Sequence, residues 1–193
     1  MIVGGHECHF DEDAHLYTID GAEVISVTQA LVESSLIDTT WFTEWARHRG
    51  STVHKALEYK VQGILDEESI DPKIQGYLDA YHRFVDEAGF ECLEVERSVW
   101  SPTHRFAGTL DQFGTLKGDY TAIVDTKTGA LQWQTATQLT GYDDARSQNG
   151  DEHADRLVGL QLNADGTYGT KAYPLELLDW RAALRIAWRK RRK

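Results

Sequence analysis

Cysteine is almost missing from this chain, and its scarcity narrows the chemistry. Cys8 and Cys92 are the only two thiols in 193 residues. Two thiolates cannot complete a four-cysteine iron–sulfur cluster or a closed zinc site, so no such centre is expected. One disulfide is formally available, but nothing else marks a secreted protein. No apolar run approaches the roughly 18–20 residues that a membrane-spanning helix needs. The opening Met1-Ile2-Val3-Gly4-Gly5-His6-Glu7 lacks the basic and apolar regions of a signal peptide. These absences lead to the expectation of a cytoplasmic chain with reduced thiols and no membrane partner. A G-x-x-x-x-G-K-[ST] phosphate loop is missing too, which argues against a nucleotide cofactor and against a helicase motor. Neither an internal repeat nor a low-complexity linker interrupts the chain.

What is present is a folding composition, with 41% hydrophobic and 26% charged residues. The length suits one domain with a real core. The net charge of −11 divides unevenly, with +7 from residues 181–193 and −18 from residues 1–180. A cationic helix end complements the helix dipole. A run this dense, including Arg185, Arg189, Lys190 and Arg191, equally suits contact with nucleic acid.

Periodicity divides the chain. His15–Ile19 and Ala22–Ile25 flank Asp20-Gly21, which predicts a hairpin. Ser26 can cap a helix from Val27 to about Glu33. Thr39 or Thr40 can cap another, bearing Trp41, Phe42 and Trp45, with Gly50 and Ser51 interrupting it. A longer helix is expected from about Thr52 to Ile64, and Asp71-Pro72 opens one that Gly89 ends. Strands follow over 91–100, 106–116 and 120–126. A helix is expected from about Gln132 to Arg146, then strands around a turn at 163–166, and a last helix opened by Pro174. The result is an α/β domain with a central mixed sheet. Its parts are an N-terminal hairpin and helices (1–47), a core (48–173) and a basic C-terminal helix (174–193).

The chemistry-bearing stretches are Gly108-Thr109-Leu110-Asp111 and Ile123-Val124-Asp125-Thr126-Lys127-Thr128-Gly129. Asp125 and Lys127 are two apart at a strand end, so both leave the same face. Hairpin pairing of the two strands brings Asp111 beside Asp125. Two carboxylates hold a hard divalent cation, and the ammonium stabilises charge on a phosphorane or positions the attacking water. Gly108 leaves room for a backbone or a substrate.

Four pieces in order resemble the PD-(D/E)xK nuclease superfamily, specifically its RecB-like exonuclease branch in a stand-alone, phage-type form. Arg49 to Glu58 looks like the helical first motif, whose histidine, here His54, is a metal ligand. Gly108 to Asp111 looks like the second motif, and Val124 to Gly129 like the third. Gln138-Leu139-Thr140-Gly141-Tyr142 matches the Q-x-x-x-Y signature that engages DNA. The resemblance covers about residues 48–146. It implies a restriction-endonuclease-like core and a DNA exonuclease using Mg2+ or Mn2+, in recombination, repair or replication beside a partner protein. His54, Asp111, Asp125 and the Thr126 carbonyl would hold metal, and Lys127 would assist catalysis.

Other residues carry open readings. Glu58, one turn from His54, is a second-layer residue, a second-metal ligand or a partner of Lys55 or Lys60. Glu96 orients Arg97 or the site. Trp41, Trp45 and Trp133 belong to a core, or one of them stacks on an unpaired base. His6, Cys8, His9 and His15 fit no closed zinc spacing and fall in a start expected to be flexible. Two rival functions remain, a non-catalytic DNA-binding module on the same fold and a phosphoesterase acting on small nucleotides.

Overall fold

The computed structural model describes residues 1–38, 43–118 and 120–192. Among these, nine strands and five α-helices follow in order: β1 (Ile2–Val3), β2 (His6–Asp11), β3 (Leu16–Ile19), β4 (Ala22–Ser26), α1 (Val27–Glu33), α2 (Glu44–Val61), α3 (Pro72–Ala88), β5 (Phe90–Ser101), β6 (Phe106–Leu116), β7 (Tyr120–Lys127), α4 (Thr135–Gln148), β8 (Arg156–Leu162), β9 (Tyr168–Tyr173) and α5 (Leu177–Arg191). They form an α/β fold with a mixed central sheet flanked by helices.

The period-two pattern of the strands separates two cores. On β7, Ile123 joins a layer with Leu139 of α4, Trp180 of α5 and Leu31 of α1. Its neighbours Ala122 and Val124 join Val53 and Leu57 of α2 and Phe84 of α3 on the other face. The N-terminal strands form a third cluster around Tyr17, Ile19 and Trp100.

The topology around β6 decides where a site can form. β5 covers one edge of β6 from Phe106 to Leu116. The opposite edge is shared. β4 runs parallel to it at Phe106 and Ala107, and β7 runs antiparallel to it from Gln112 to Leu116. Residues 108–111 therefore lack a strand partner on that edge, and the sheet opens between β4 and β7.

Several expectations need correction. Thr43 caps α2, its hydroxyl accepting from Ala46 N at 3.1 Å, and the helix runs unbroken through Gly50 and Ser51 to Val61. An interior glycine costs only about 1 kcal/mol, and Val53, Ala56 and Leu57 anchor the same helix in the core. The proposed caps Thr39 and Thr40, with Trp41 and Phe42, lie outside the described residues. The N-terminal start is not flexible, because β1 and β2 extend the hairpin into four paired strands. Helix α4 begins at Thr135 rather than Gln132, and α5 at Leu177, three residues beyond Pro174. Trp45 and Trp133 are 63% and 58% exposed, so neither is core. α1 and α3 form as expected, with a Ser26–Gln29 capping box and a left-handed Gly89 (φ 58°).

Candidate metal and catalytic site

The opening beside β6 is where the predicted residues meet. Between the pairs Val95↔Gln112 and Arg97↔Leu110 the β5–β6 ladder skips Glu96 and Asp111. Glu96 has φ +48°, a left-handed backbone that costs energy for a residue with a Cβ. On the open edge of β6, Asp111 Oδ2 accepts the Thr126 amide at 2.7 Å, so a carboxylate takes the place of the missing ladder partner.

His54 reaches this opening from α2. Its Nε2 donates to the Thr126 carbonyl at 2.9 Å, while Nδ1 lies 3.6 Å from Asp111 Oδ2 and 3.8 Å from Glu96 Oε1. The Asp111 charge, against the opposing effect of burial, pushes the imidazole up to about 9, with Glu96 helping. Among the described residues His54, Glu96 and Asp111 form the one group of three whose ligand atoms all lie within 4.8 Å of one another.

Asp125 and Lys127 approach from the other face. Alternation with Ile123 turns both toward α4. Asp125 is fully buried, with Oδ2 2.6 Å from Lys127 Nζ and Oδ1 without a hydrogen-bond partner among the described residues. Burial raises the carboxyl above its usual range, although Lys127 pulls it down. Burial works against the Lys127 charge as well, but Asp125 and Asp111 outweigh it and hold the amine protonated. Arg49 ties α2 to the end of β7 by donating to Thr128 Oγ1 at 3.3 Å and Thr128 O at 3.1 Å, with its guanidinium 4.4 Å over Trp45.

Other singled-out residues stand elsewhere. Glu58 pairs with Lys55 at 2.7 Å and lies outside the His54 group. Gln138 and Tyr142 are buried under the site, the amide donating to the phenol oxygen at 3.0 Å. Burial, then the charges of Asp111 and Asp125, hold the Tyr142 phenol far above its usual range. The space left by Gly108 is filled by this ring, not by a substrate: a Cβ there would lie 2.8 Å from Tyr142 Cε1. Lys190 donates to Glu33 O at 2.6 Å, and Arg191 pairs with the Glu33 carboxylate at 2.8 Å. Arg185 and Arg189 line a cavity between α5 and the β5–β6 turn. Cys8 and Cys92 are both free, and His6 pairs with Asp20 at 2.7 Å.

Sequence reasoning ranked Glu96 below Asp125 as a partner of His54 and overlooked Arg49. An acid in an alternating strand carries no signal of the left-handed turn that aims it, and an arginine carries none of its distant carbonyl partner.

The fold is shared with a solved structure at low identity, and two weaker matches accompany it. A protein from Eubacterium rectale, whose exonuclease assignment is itself provisional, superposes with a TM-score of 0.52 at 10% identity, over 88% of this chain and 79% of that one. An alkaline exonuclease from Laribacter hongkongensis gives 0.46 at 14% identity, over 86% and 87%. The same enzyme in complex with dAMP gives 0.44 at 12%, over 88% and 92%. No family model and no curated protein matches the sequence.

Proposed function

We propose that this chain is a metal-dependent nuclease that hydrolyses phosphodiester bonds in DNA, acting as an exonuclease of the RecB-like branch. One observation carries the reading. Three carboxylates and an imidazole surround an opening in the sheet, and one buried carboxylate oxygen, Asp125 Oδ1, has no partner among the described residues. A buried anionic oxygen left unpaired is costly, and a cation offsets that cost.

The residues fit a hard divalent ion, Mg2+ or Mn2+, because the donors are carboxylate and carbonyl oxygens with a single imidazole. His54, Asp111, the Thr126 carbonyl and Glu96 would hold it from one side, and Asp125 would face it from the other. When bound, such an ion polarises the scissile phosphate and lowers the pKa of a coordinated water. Lys127, kept protonated by its two aspartates, stabilises negative charge building on the phosphoryl oxygens and is not suited to take a proton. The Thr126 carbonyl keeps His54 oriented by accepting from Nε2, which leaves Nδ1, facing Asp111 and Glu96, as the nitrogen that would give up its proton to hold the ion. Buried Gln138 and Tyr142 support the floor beneath Asp111 and Asp125. Arg49 holds the end of β7 and with it the position of Lys127.

The shared fold and the exonuclease assignment of the E. rectale protein favour a nuclease over a small-nucleotide phosphoesterase. Recombination, repair or replication is the setting proposed, with a partner protein supplying opened ends.

The test is digestion of end-labelled single- and double-stranded DNA with Mg2+, Mn2+ or EDTA. Metal-dependent release of nucleotides from an end supports the reading. Cleavage that persists in EDTA, or that survives in Lys127→Ala, defeats it. A protein that binds DNA without cutting it would instead be a binding module on the same fold.

A further inference from the structure

The seven cations of residues 181–193 do not share one fate. Arg181 is 2.5 Å from the buried Asp144, Lys190 and Arg191 are tied to Glu33, and all three fasten α5 to the body. Lys193 is outside the described residues. Arg185, Arg189 and Arg192 form no ion pair among the described residues, although residues 1–180 carry −18. They line a cavity of about 900 Å³ whose opposite wall is the β5–β6 turn with Arg105. Trp188 also lines it, and its buried indole N–H donates to no partner among the described residues.

Complementing the helix dipole does not explain this cluster. That effect is confined to the last turn, whereas Arg185 stands earlier and Arg105 belongs to another element. Arg181, Arg185 and Arg189 recur at i, i+4 on one face, a spacing at which like charges destabilise a helix. Guanidinium groups facing one cavity match the oxygens of phosphate diesters, which they bind through paired N–H bonds.

The cavity is well placed relative to the site. β6 and β7 are antiparallel, so the β5–β6 turn lies at the end of the sheet toward which β7 carries Asp125 and Lys127. Asp111 stands five positions along β6 from Phe106, a span of roughly 17 Å at the usual strand rise. That corresponds to about five phosphates at the rise of one duplex strand.

We propose that the cavity between α5 and the β5–β6 turn docks the phosphodiester backbone of the DNA strand whose end lies at Asp111 and Asp125. The proposal rests on the nuclease reading for the identity of that strand. The turn contributes half of the site, so the basic tail is not a loose tether but one wall of a groove.

The experiment uses the full chain with two variants on opposite walls, Arg185→Glu/Arg189→Glu and Arg105→Glu, each checked for folding by circular dichroism and Tm. Anisotropy of a fluorescent 20-mer in EDTA measures binding without cleavage. Wild-type binding is expected to weaken about 10-fold in the double variant, with the salt slope on single strands falling by about 1.4, since each lost phosphate contact removes about 0.7. Hydrolysis of thymidine 5′-(p-nitrophenyl phosphate) with Mn2+, a substrate too short to span both places, is expected to stay within twofold of wild type. Folded variants that bind the 20-mer as wild type does overturn the proposal. So does inorganic phosphate displacing the 20-mer at the phosphate-equivalent concentration of competitor DNA, which identifies a free-phosphate site. If the wild type cleaves neither substrate while both variants lose DNA binding, the docking site stands and the nuclease reading falls.

Discussion

Glu94 and Glu96 stand two residues apart on β5, yet they enter charge clusters of opposite character. Glu94 joins a closed set. Arg97 reaches Glu94 at 2.6 Å and Asp151 at 2.7 Å, and Arg146 approaches the same two acids at 3.8 and 3.7 Å while lying 3.5 Å over the Phe113 ring. Two cations meet two anions. Glu96 is one of three carboxylates facing one ammonium and one imidazole, with an oxygen of Asp125 left over. The balanced cluster holds loop 149–154 against β5 and α4, and its charges cancel without a ligand, although Glu94 Oε2 and Arg146 Nε, 3.8 Å apart, are buried without hydrogen bonds among the described residues. The unbalanced one is electrostatically incomplete, which is the property a cation site needs.

The comparison breaks first at Arg146. Arg146→Ala leaves Glu94 and Asp151 short of a buried counter-charge and is expected to cost about 3–5 kcal/mol, read by urea denaturation. An unchanged midpoint would show that the balanced cluster does not hold the structure. Lys127→Ala is expected to lower kcat on DNA about 10²–10³-fold, as loss of one electrostatic donor does elsewhere, and also to lower the metal-free unfolding midpoint, because it leaves buried Asp125 without its cation. Mn2+ is expected to restore stability to Lys127→Ala and not to Arg146→Ala, and equal recovery, or none, in both variants would erase the distinction between the clusters.

Metal sharpens the same contrast. Mn2+ at about a hundred times its Kd is expected to add about 2.7 kcal/mol, roughly 5–10 °C in Tm for a chain this long. Asp111→Asn should lose most of that gain and Asp151→Asn none of it. A metal shift that survives in Asp111→Asn would move the ion elsewhere.

Without metal, pH acts through His54. Its folded pKa of about 9 exceeds the ordinary 6.5, so its stabilising contribution is complete below about pH 6.5 and is lost as pH rises through 9. Tm of the metal-free protein should therefore decline across that window, and His54→Gln should flatten the decline. The smallest effect is steric. Gly108→Ala sets a methyl against the Tyr142 ring and is expected to cost about 1–3 kcal/mol, with thermal melting as the readout.

Much of the framework was legible because it rests on local rules. Ser26, Asp71-Pro72 and Gly89 announce helix ends through capping chemistry, and the alternation over 106–116 and 120–126 yields both strands within a residue. Gly50 misled because a weak breaker was weighed without the core contacts of Val53 and Leu57 that override it. The exposure of Trp45 and Trp133 was unreadable for the opposite reason, since hydrophobic character does not say which face a neighbour will cover.

By itself the sequence determined the element order from β3 onward, apart from dividing α2 in two, and set Asp111, Asp125 and Lys127 on adjoining strands, because period-two alternation and spacing are properties of a chain taken locally. Only the tertiary structure decided that β4 and β7 share one edge of β6 and leave a gap at 108–111, that Glu96 turns into that gap, and that Arg105 faces Arg185 and Arg189. Those arrangements depend on contacts between residues far apart in the chain, whose pairing no local pattern encodes.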